Sequence, residues 1–455
     1  MVIDMGFEKN FIWGAAAASY QIEGAAFEDG KGASVWDTFT KVNGNIKNDD
    51  NGDIACDHYH RYKEDVALMK ELGLKAYRFS ISWPRILPEG TGKINAKGLQ
   101  FYSNLVDELL AAGIEPYITL FHWDLPQVLY DRGGWLNRDI SDWFAEYVKI
   151  VVEHLSDRVN NWITTNEPQC HILLGHELGV HAPGDHATNR ELFIMMHNIN
   201  LAHGKAVQVI RKYSKQPCRV GYAPNPGPTV PATASQADYE ASKAYAFSAT
   251  ARNLWSNTWW LDPVLLGKYP EDGLNAFKEE FPKEMIMEGD MEIIHQPLDF
   301  LGINLYQGAI IRQGDQGPIE VTRKTGFDKT ALKWLVIPEI MYYMPKFLYE
   351  RYHLPIVITE NGLTLSDWVS LDGRVHDPNR IDFMHRYLKE LKKASEEGVK
   401  IIGYFAWSVM DNFEWSEGYN ERFGLIHVDY ETQRRTFKDS AYYYQEIIQN
   451  NGENL

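Results

Sequence analysis

The sequence has few cysteines, and their spacing excludes the common cysteine-based sites. Its 455 residues include Cys56, Cys170 and Cys218, an odd number with no CxxC pair. Such a set does not form the disulfide framework of a small secreted domain, and it offers no thiolate cluster for structural zinc. We therefore expect free thiols in a reducing compartment.

Positive charge and long apolar runs are also scarce. The chain has 45 Lys and Arg against 62 Asp and Glu, a formal net charge of −17. Nucleic acids and anionic membrane surfaces are bound by clustered basic side chains, so we expect neither as a partner. No run reaches the ~20 apolar residues of a membrane helix. The acidic N-terminus lacks the pattern of a signal peptide, so we predict a cytoplasmic protein.

No internal repeat, low-complexity tract or GxGxxG loop occurs in the chain. Short apolar runs instead alternate with amphipathic stretches, which predicts parallel strands covered by helices. The predicted strands are Phe11–Ala16, Ala76–Ile81, Glu115–Phe121, Asn161–Thr165, Arg219–Ala223, Phe300–Tyr306, Ile356–Thr359 and Ile401–Trp407.

Helices are predicted between several of these strands, at His58–Leu72, Leu99–Ala112 and Asn379–Glu397. The last two precede Gly113 and Gly398, the residue type that most often ends a helix. Eight strands with intervening helices predict an α/β protein, a single-domain (β/α)8 TIM barrel over residues 1–455 with long βα loops. An open dinucleotide-binding sheet is less well supported without its glycine-rich loop.

The residues beyond an ordinary barrel fall in three loops: Lys41–Asp57, Ala223–Gln236 and Gln307–His353. The second contains four prolines, which is also typical of an inter-domain linker. We favour a loop after the fifth strand, because strands on both sides of it are needed to close the barrel.

Two glutamates stand at the ends of predicted strands, where parallel barrels carry their active sites. Glu167 follows the fourth predicted strand and Glu360 follows the seventh. Cleavage of a glycosidic bond needs such a pair, since one carboxylic acid protonates the leaving oxygen while the other carboxylate attacks or activates water. A single glutamate at such a position is more often a structural ion-pair partner. The pair, each beside an asparagine, favours the catalytic interpretation.

The surrounding residues resemble glycoside hydrolase family 1 along nearly the whole chain, from about Phe7 to Tyr443. Thr164–Pro168 and Ile358–Gly362 are similar to the two catalytic signatures of that family, and Phe11–Gly24 resembles its N-terminal signature. The resemblance continues through the segments Phe79–Arg85, His122–Asp124 and Trp407–Trp415.

The resemblance implies retention of anomeric configuration, without a cofactor or metal. It implies that Glu167 is the general acid/base and Glu360 the nucleophile, with carboxyl groups about 5–5.5 Å apart. Arg78 and Tyr306 are expected to hold Glu360 ionised and oriented.

The resemblance also implies the residues that bind the non-reducing sugar. Trp407 is expected to lie beneath the sugar ring, and Asn166 to contact its 2-hydroxyl. The complete expected set is Gln21, His122, Asn166, Asn304, Tyr306, Trp407, Glu414, Trp415 and Phe423.

The function implied is hydrolysis of terminal β-D-glucosyl residues from cello-oligosaccharides and from aryl or alkyl β-glucosides, as in carbohydrate metabolism and cellulose or other polysaccharide degradation. Secondary activity on β-galactosides or β-fucosides, and transglycosylation, are compatible with it. A 6-phospho-β-glycosidase is the alternative within the family, but the Glu414 carboxylate would repel a phosphate. A non-catalytic sugar-binding barrel is the alternative from another class. The oligomeric state stays open.

Two features suggest other chemistry but lack its spacing. His176 and His181 resemble a zinc motif, yet residues five apart do not share a helix face. Cys170 lies three residues after Glu167 without the histidine partner of a nucleophilic thiol. We expect both segments, and Gln169, to line the aglycone side of the pocket.

Overall fold

In the computed structural model, which describes residues 7–322 and 325–455, eight parallel strands form a closed barrel in chain order. The last strand, Ile401–Trp407, pairs with the first, Ile12–Ala16, from Gly403 beside Ile12 to Trp407 beside Ala16, and this pairing closes the ring. The (β/α)8 prediction and all eight predicted strands are confirmed, with small shifts at the ends. The strands are β1 Ile12–Ala16, β2 Ala76–Ser80, β3 Glu115–Thr119, β4 Asn161–Asn166, β5 Arg219–Ala223, β6 Phe300–Asn304, β7 Ile356–Asn361 and β8 Ile401–Trp407.

Helices between the strands form the outer layer. The three predicted helices are confirmed with bounds shifted by up to three residues, and Gly113 and Gly398 take the left-handed conformation expected after a helix, with φ of 77° and 93°. The helices of eight or more residues are His58–Glu71, Ala96–Ala111, Ile140–Leu155, Asn189–Tyr213, Gln236–Ala246, Asn257–Leu266, Ile340–Tyr352, Pro378–Glu396 and Asp439–Gln449. Shorter helices are Ser19–Ile22, Val35–Phe39, Trp83–Ile86, Gln127–Tyr130, Pro168–Ile172, Glu271–Ala276 and Asp290–Ile294.

Within the described ranges, no helix has both the length and the apolar character needed to cross a bilayer. Residues 1–6, which contributed to the prediction that a signal peptide is absent, lie outside these ranges.

Aromatic rings from non-adjacent strands fill the barrel interior. Tyr117, Phe300 and Phe405 are buried, and the ring centroids of Tyr117 and Phe405 are 5.0 Å apart. Gly14 leaves room for this packing, because a Cβ atom there would lie 2.5 Å from the Phe405 ring. The barrel is therefore a packed core at this level, and space for a ligand is left at its mouth.

The excursions after β5 and β6 meet in a small three-stranded sheet that the sequence did not predict. Thr229–Pro231 pairs in parallel with Ala309–Ile311, and Ala309–Gly314 pairs antiparallel with Gly317–Glu320. The proline-rich segment thus runs between two neighbouring barrel strands, as the loop interpretation required. A second small sheet, Ile426–Val428 with Arg435–Phe437, follows β8.

Candidate active site

Irregular strand ends direct the two glutamates into one cavity. Pairing of β4 with β5 shifts register between Ile163 and Asn166, and pairing of β7 with β6 shifts between Ile358 and Glu360. Such irregularities change the direction of the side chains that follow. Glu167 then takes the left-handed conformation, with φ of 41°, which is uncommon for a residue with a side chain. Both glutamates line the same cavity.

This cavity has a volume of about 610 Å³, within the usual range of small-molecule sites. It contains most of the residues that the sequence predicted. Those that line it are His122, Asn166, Glu167, Tyr306, Glu360, Trp407, Glu414, Trp415 and Phe423. Arg78, Gln21 and Asn304 are fully buried behind this lining and bond to residues within it.

Glu360 accepts two hydrogen bonds, one on each carboxylate oxygen. Arg78 Nη1 donates to Oε1 and the Tyr306 hydroxyl donates to Oε2, both at 2.7 Å. Burial raises the pKa of Glu360 to about 7 and the nearby Glu167 adds to the rise, while Arg78 and Tyr306 oppose it. The two donors therefore stabilise the ionised form in a site that otherwise disfavours charge.

Arg78 also ties together the ends of four strands. Its guanidinium donates to Asn166 Oδ1 at 2.5 Å, to Thr119 Oγ1 at 3.1 Å and to the Thr359 carbonyl at 3.0 Å. The planar guanidinium therefore fixes the positions of Glu360 and Asn166 relative to each other at the barrel mouth.

Glu167 accepts hydrogen bonds from two neutral amides. Its Oε1 accepts from Asn304 Nδ2 at 2.7 Å and from Asn225 Nδ2 at 3.0 Å. Asn304 also donates to Asn166 Oδ1 at 3.0 Å. Asn225, in the loop after β5, was not predicted as a site residue. An asparagine between two prolines carries no signal that distinguishes it from a turn residue.

His122 is a neutral imidazole beside Asn166. Burial lowers its pKa well below the usual value, and the Arg78 charge lowers it further. Its Nε2 lies 3.0 Å from Asn166 Nδ2 and accepts from that amide when the proton is on Nδ1. The Nδ1 atom makes no hydrogen bond with the described part of the chain. A neutral donor is thus left beside the cavity.

Glu414 is a polar residue of the cavity wall, and Gln21 lies buried behind it. Gln21 Nε2 donates to Asn412 Oδ1 at 3.0 Å and to the Phe413 carbonyl at 2.8 Å, and Glu414 Oε2 lies 3.4 Å away. Burial raises the pKa of Glu414 well above its usual value, with the Glu360 charge next in size. A polar ligand that donates hydrogen bonds would stabilise the carboxylate here.

Aromatic side chains complete the walls. Trp415 packs between Trp36 and Trp123, with ring centroids 4.5 Å and 4.6 Å away. On another side, the Phe423 ring lies 5.8 Å from Tyr306 and 6.0 Å from Trp334. Trp123 and Trp334 line the cavity but were not predicted as site residues.

The two histidines of the zinc-like motif have separate environments. His176 Nδ1 lies 2.8 Å from Asp185 Oδ2, whereas His181 is half-buried at the cavity wall against Trp36 and Trp123. Cys170 also lines the cavity. Gln169 lies behind the wall, where its Nε2 donates to the Asn225 carbonyl at 2.6 Å.

Known proteins resemble this chain over nearly its whole length. The family model of Glycosyl hydrolase family 1 matches residues 4–453. Beta-glucosidase A of Thermotoga maritima is 46% identical over 451 residues, 98% of each chain. Beta-glucosidase A of Acetivibrio thermocellus is 46% identical over 455 residues, 98% of this chain and 99% of the other. A solved structure of beta-glucosidase from Thermotoga maritima in complex with glucoimidazole superposes with a TM-score of 0.90 at 46% identity, covering 98% of this chain and 99% of that one.

Proposed function

Because the chain belongs to glycosyl hydrolase family 1, we propose that it is a retaining β-glucosidase that removes terminal β-D-glucosyl residues. The observation that carries this proposal is the asymmetric environment of the glutamate pair. Glu360 is held by a guanidinium and a phenol, and Glu167 by two amides.

In the first step, Glu360 attacks the anomeric carbon as a carboxylate. Two carboxyl groups that share a buried cavity favour a state in which one of them keeps a proton. The positive charge of Arg78 favours the anion on Glu360, and the proton is therefore left on Glu167. Glu167 gives this proton to the departing glycosidic oxygen, while the Glu360 oxygen forms the ester bond to the sugar.

In the second step, esterification has removed the negative charge of Glu360. Glu167, now a carboxylate, takes a proton from water as the water attacks the anomeric carbon. The ester bond breaks, Glu360 regains its charge, and two inversions give a product with retained configuration. An alcohol in place of water gives transglycosylation.

The wall around Glu414 supports an unphosphorylated sugar as substrate. A carboxylate bonds well to neutral 4- and 6-hydroxyls and repels a 6-phosphate. It accepts from an equatorial or an axial 4-hydroxyl, so we include β-galactosides and β-fucosides as secondary substrates. Trp407, Trp415 and Phe423 offer apolar surface to the sugar ring.

The aglycone, on the Glu167 side, is a glucosyl unit of a cello-oligosaccharide or an aryl or alkyl group. A part in cellulose or other polysaccharide degradation follows from the first of these. We also keep as proposals a single catalytic domain over residues 1–455 and a cytoplasmic location, for which the free thiols Cys56, Cys170 and Cys218 are the support.

The test is hydrolysis of an aryl β-glucoside followed by NMR, with wild type and Glu360→Ala compared. We expect the β-anomer of glucose to appear first, and activity to be lost in the variant. An α-anomer appearing first would exclude the retaining mechanism. Parallel assays with plain and 6-phosphorylated cellobiose decide between the two substrate classes. Tight sugar binding without any turnover would support a non-catalytic barrel.

A further inference from the structure

One cation stands in the wall of a cavity that is otherwise neutral or acidic. Among the described residues that line it, Arg252 is the sole arginine or lysine, against the five glutamates Glu167, Glu320, Glu360, Glu414 and Glu417. Its guanidinium makes no ion pair or hydrogen bond with any other residue that the structure describes. A guanidinium with five free donors is well suited to a carboxylate.

Arg252 lies on the side of the cavity where the leaving group departs. Burial raises the pKa of the Cys170 thiol well above its usual value, and the charge of Arg252 is close enough to oppose that rise. Cys170 lies on the helix Pro168–Ile172, which begins directly after Glu167. The sugar wall formed by Trp407 and Glu414 comes instead from β8 and the loop after it.

The fold reserves space for the guanidinium. A Cβ atom on Gly227 would lie 1.4 Å from Arg252 Nη1, so a larger residue at position 227 would displace the arginine. The Arg252 backbone is anchored too, since its N–H donates to Ser256 Oγ at 2.9 Å. Gly227 is likewise bonded to Asn257 Oδ1 at 2.7 Å.

The same part of the wall is aromatic. Trp255, three residues after Arg252 in the chain, lines the cavity beside it. An aromatic aglycone has the shape to pack on such rings.

We propose that Arg252 is a specificity-determining residue that favours aryl aglycones carrying a carboxylate. This rests on the proposed function, since it concerns the leaving group of the same reaction. The net charge of the chain and the glutamates of the wall oppose an anion at long range, so the preference comes from direct contact with the guanidinium.

The experiment compares two glucosides of nearly equal shape, 4-carboxyphenyl and 4-carbamoylphenyl β-D-glucoside. The measured quantity is the ratio of their kcat/KM values, charged over neutral. Comparing this ratio between variants cancels the difference in leaving-group acidity. We expect Arg252→Gln to lower the ratio by about fivefold, the upper range for a solvent-accessible ion pair.

Three further variants sharpen the comparison. Arg252→Lys keeps the charge and is expected to retain most of the wild-type ratio. Gly227→Ala keeps Arg252 but displaces it, and is expected to lower the ratio. Arg386→Gln removes the same charge from the exposed helix Pro378–Glu396, outside the cavity, and is expected to leave the ratio unchanged.

An unchanged ratio in Arg252→Gln overturns the proposal. An equal loss with both glucosides is one such outcome, because Arg252 would then act on the aglycone whatever its charge. Cleavage of the neutral glucoside by the wild type tests the proposed function, and the ratio tests Arg252, so the two can fail separately. Absence of cleavage of both glucosides by the wild type overturns both.

Discussion

Removing the Tyr306 hydroxyl is expected to move the acid limb of the pH–rate profile to higher pH. This hydroxyl donates to Glu360 Oε2 at 2.7 Å in a buried site. The hydrogen bond stabilises the carboxylate form, so its loss raises the pKa of Glu360, which already lies at about 7. Attack requires the carboxylate, and activity is lost as the pH falls through this pKa. Tyr306→Phe therefore loses activity at a higher pH than the wild type.

The size of the shift follows from the type of hydrogen bond. A bond to a charged group contributes about 1.5–3 kcal/mol, and one pKa unit corresponds to about 1.4 kcal/mol. We expect the acid limb to move up by about one pH unit or more. The Phe side chain keeps the ring contacts to Trp334 and Phe423, so packing changes little.

The assay is kcat/KM for an aryl β-glucoside over a range of pH, because this parameter reports ionisation of the free enzyme. Tyr77→Phe is the matched control. Tyr77 precedes Arg78 on β2, and its buried hydroxyl has no hydrogen-bond partner in the described part of the chain. An acid limb that stays in place in Tyr306→Phe, or moves equally in Tyr77→Phe, would refute the reasoning.

Further predictions concern the acid/base and the fold. Glu167→Gln removes the proton donor, so kcat/KM for an alkyl β-glucoside should fall about 10²–10⁴-fold, and less for a glucoside of an acidic phenol; equal losses would contradict this. Lys438→Met leaves the buried Asp411 without its ammonium partner at 2.6 Å, and should cost about 3–5 kcal/mol in denaturant unfolding. At the exposed pair of Lys41 with Asp53, Lys41→Met should cost under about 1 kcal/mol.

The sequence was sufficient for the barrel because its strands are short segments built around apolar residues. A strand buried on both faces, such as Ile356–Asn361, contains several adjacent apolar residues. In the helix Pro378–Glu396, apolar residues instead recur every three or four positions, and a glycine follows the helix. Glu167 and Glu360 were singled out because each stands at the end of a recognisable strand, and the resemblance to the family supplied their roles. The strands, the helix and the two glutamates can all be recognised from residues that are adjacent in the sequence.

The residues that were missed depend on contacts between distant segments. Asn225, Arg252 and Trp334 line the cavity only because the excursions after β5 and β6 fold over the barrel mouth. The pairing that joins them, Thr229–Pro231 with Ala309–Ile311, is too short to give a periodic pattern. The fourfold bonding of Arg78 likewise requires closure of the barrel.

The small sheet above the mouth has a consequence for protein engineering. Because Thr229–Pro231 hydrogen-bonds to Ala309–Ile311, the outer wall is one structural unit made from two separate stretches of chain. Replacing only one stretch with that of a relative would leave backbone donors and acceptors without partners where the two stretches pair. Chimaeras designed to change leaving-group preference should therefore exchange both stretches at once, with barrel strands β5 and β6 as fixed boundaries.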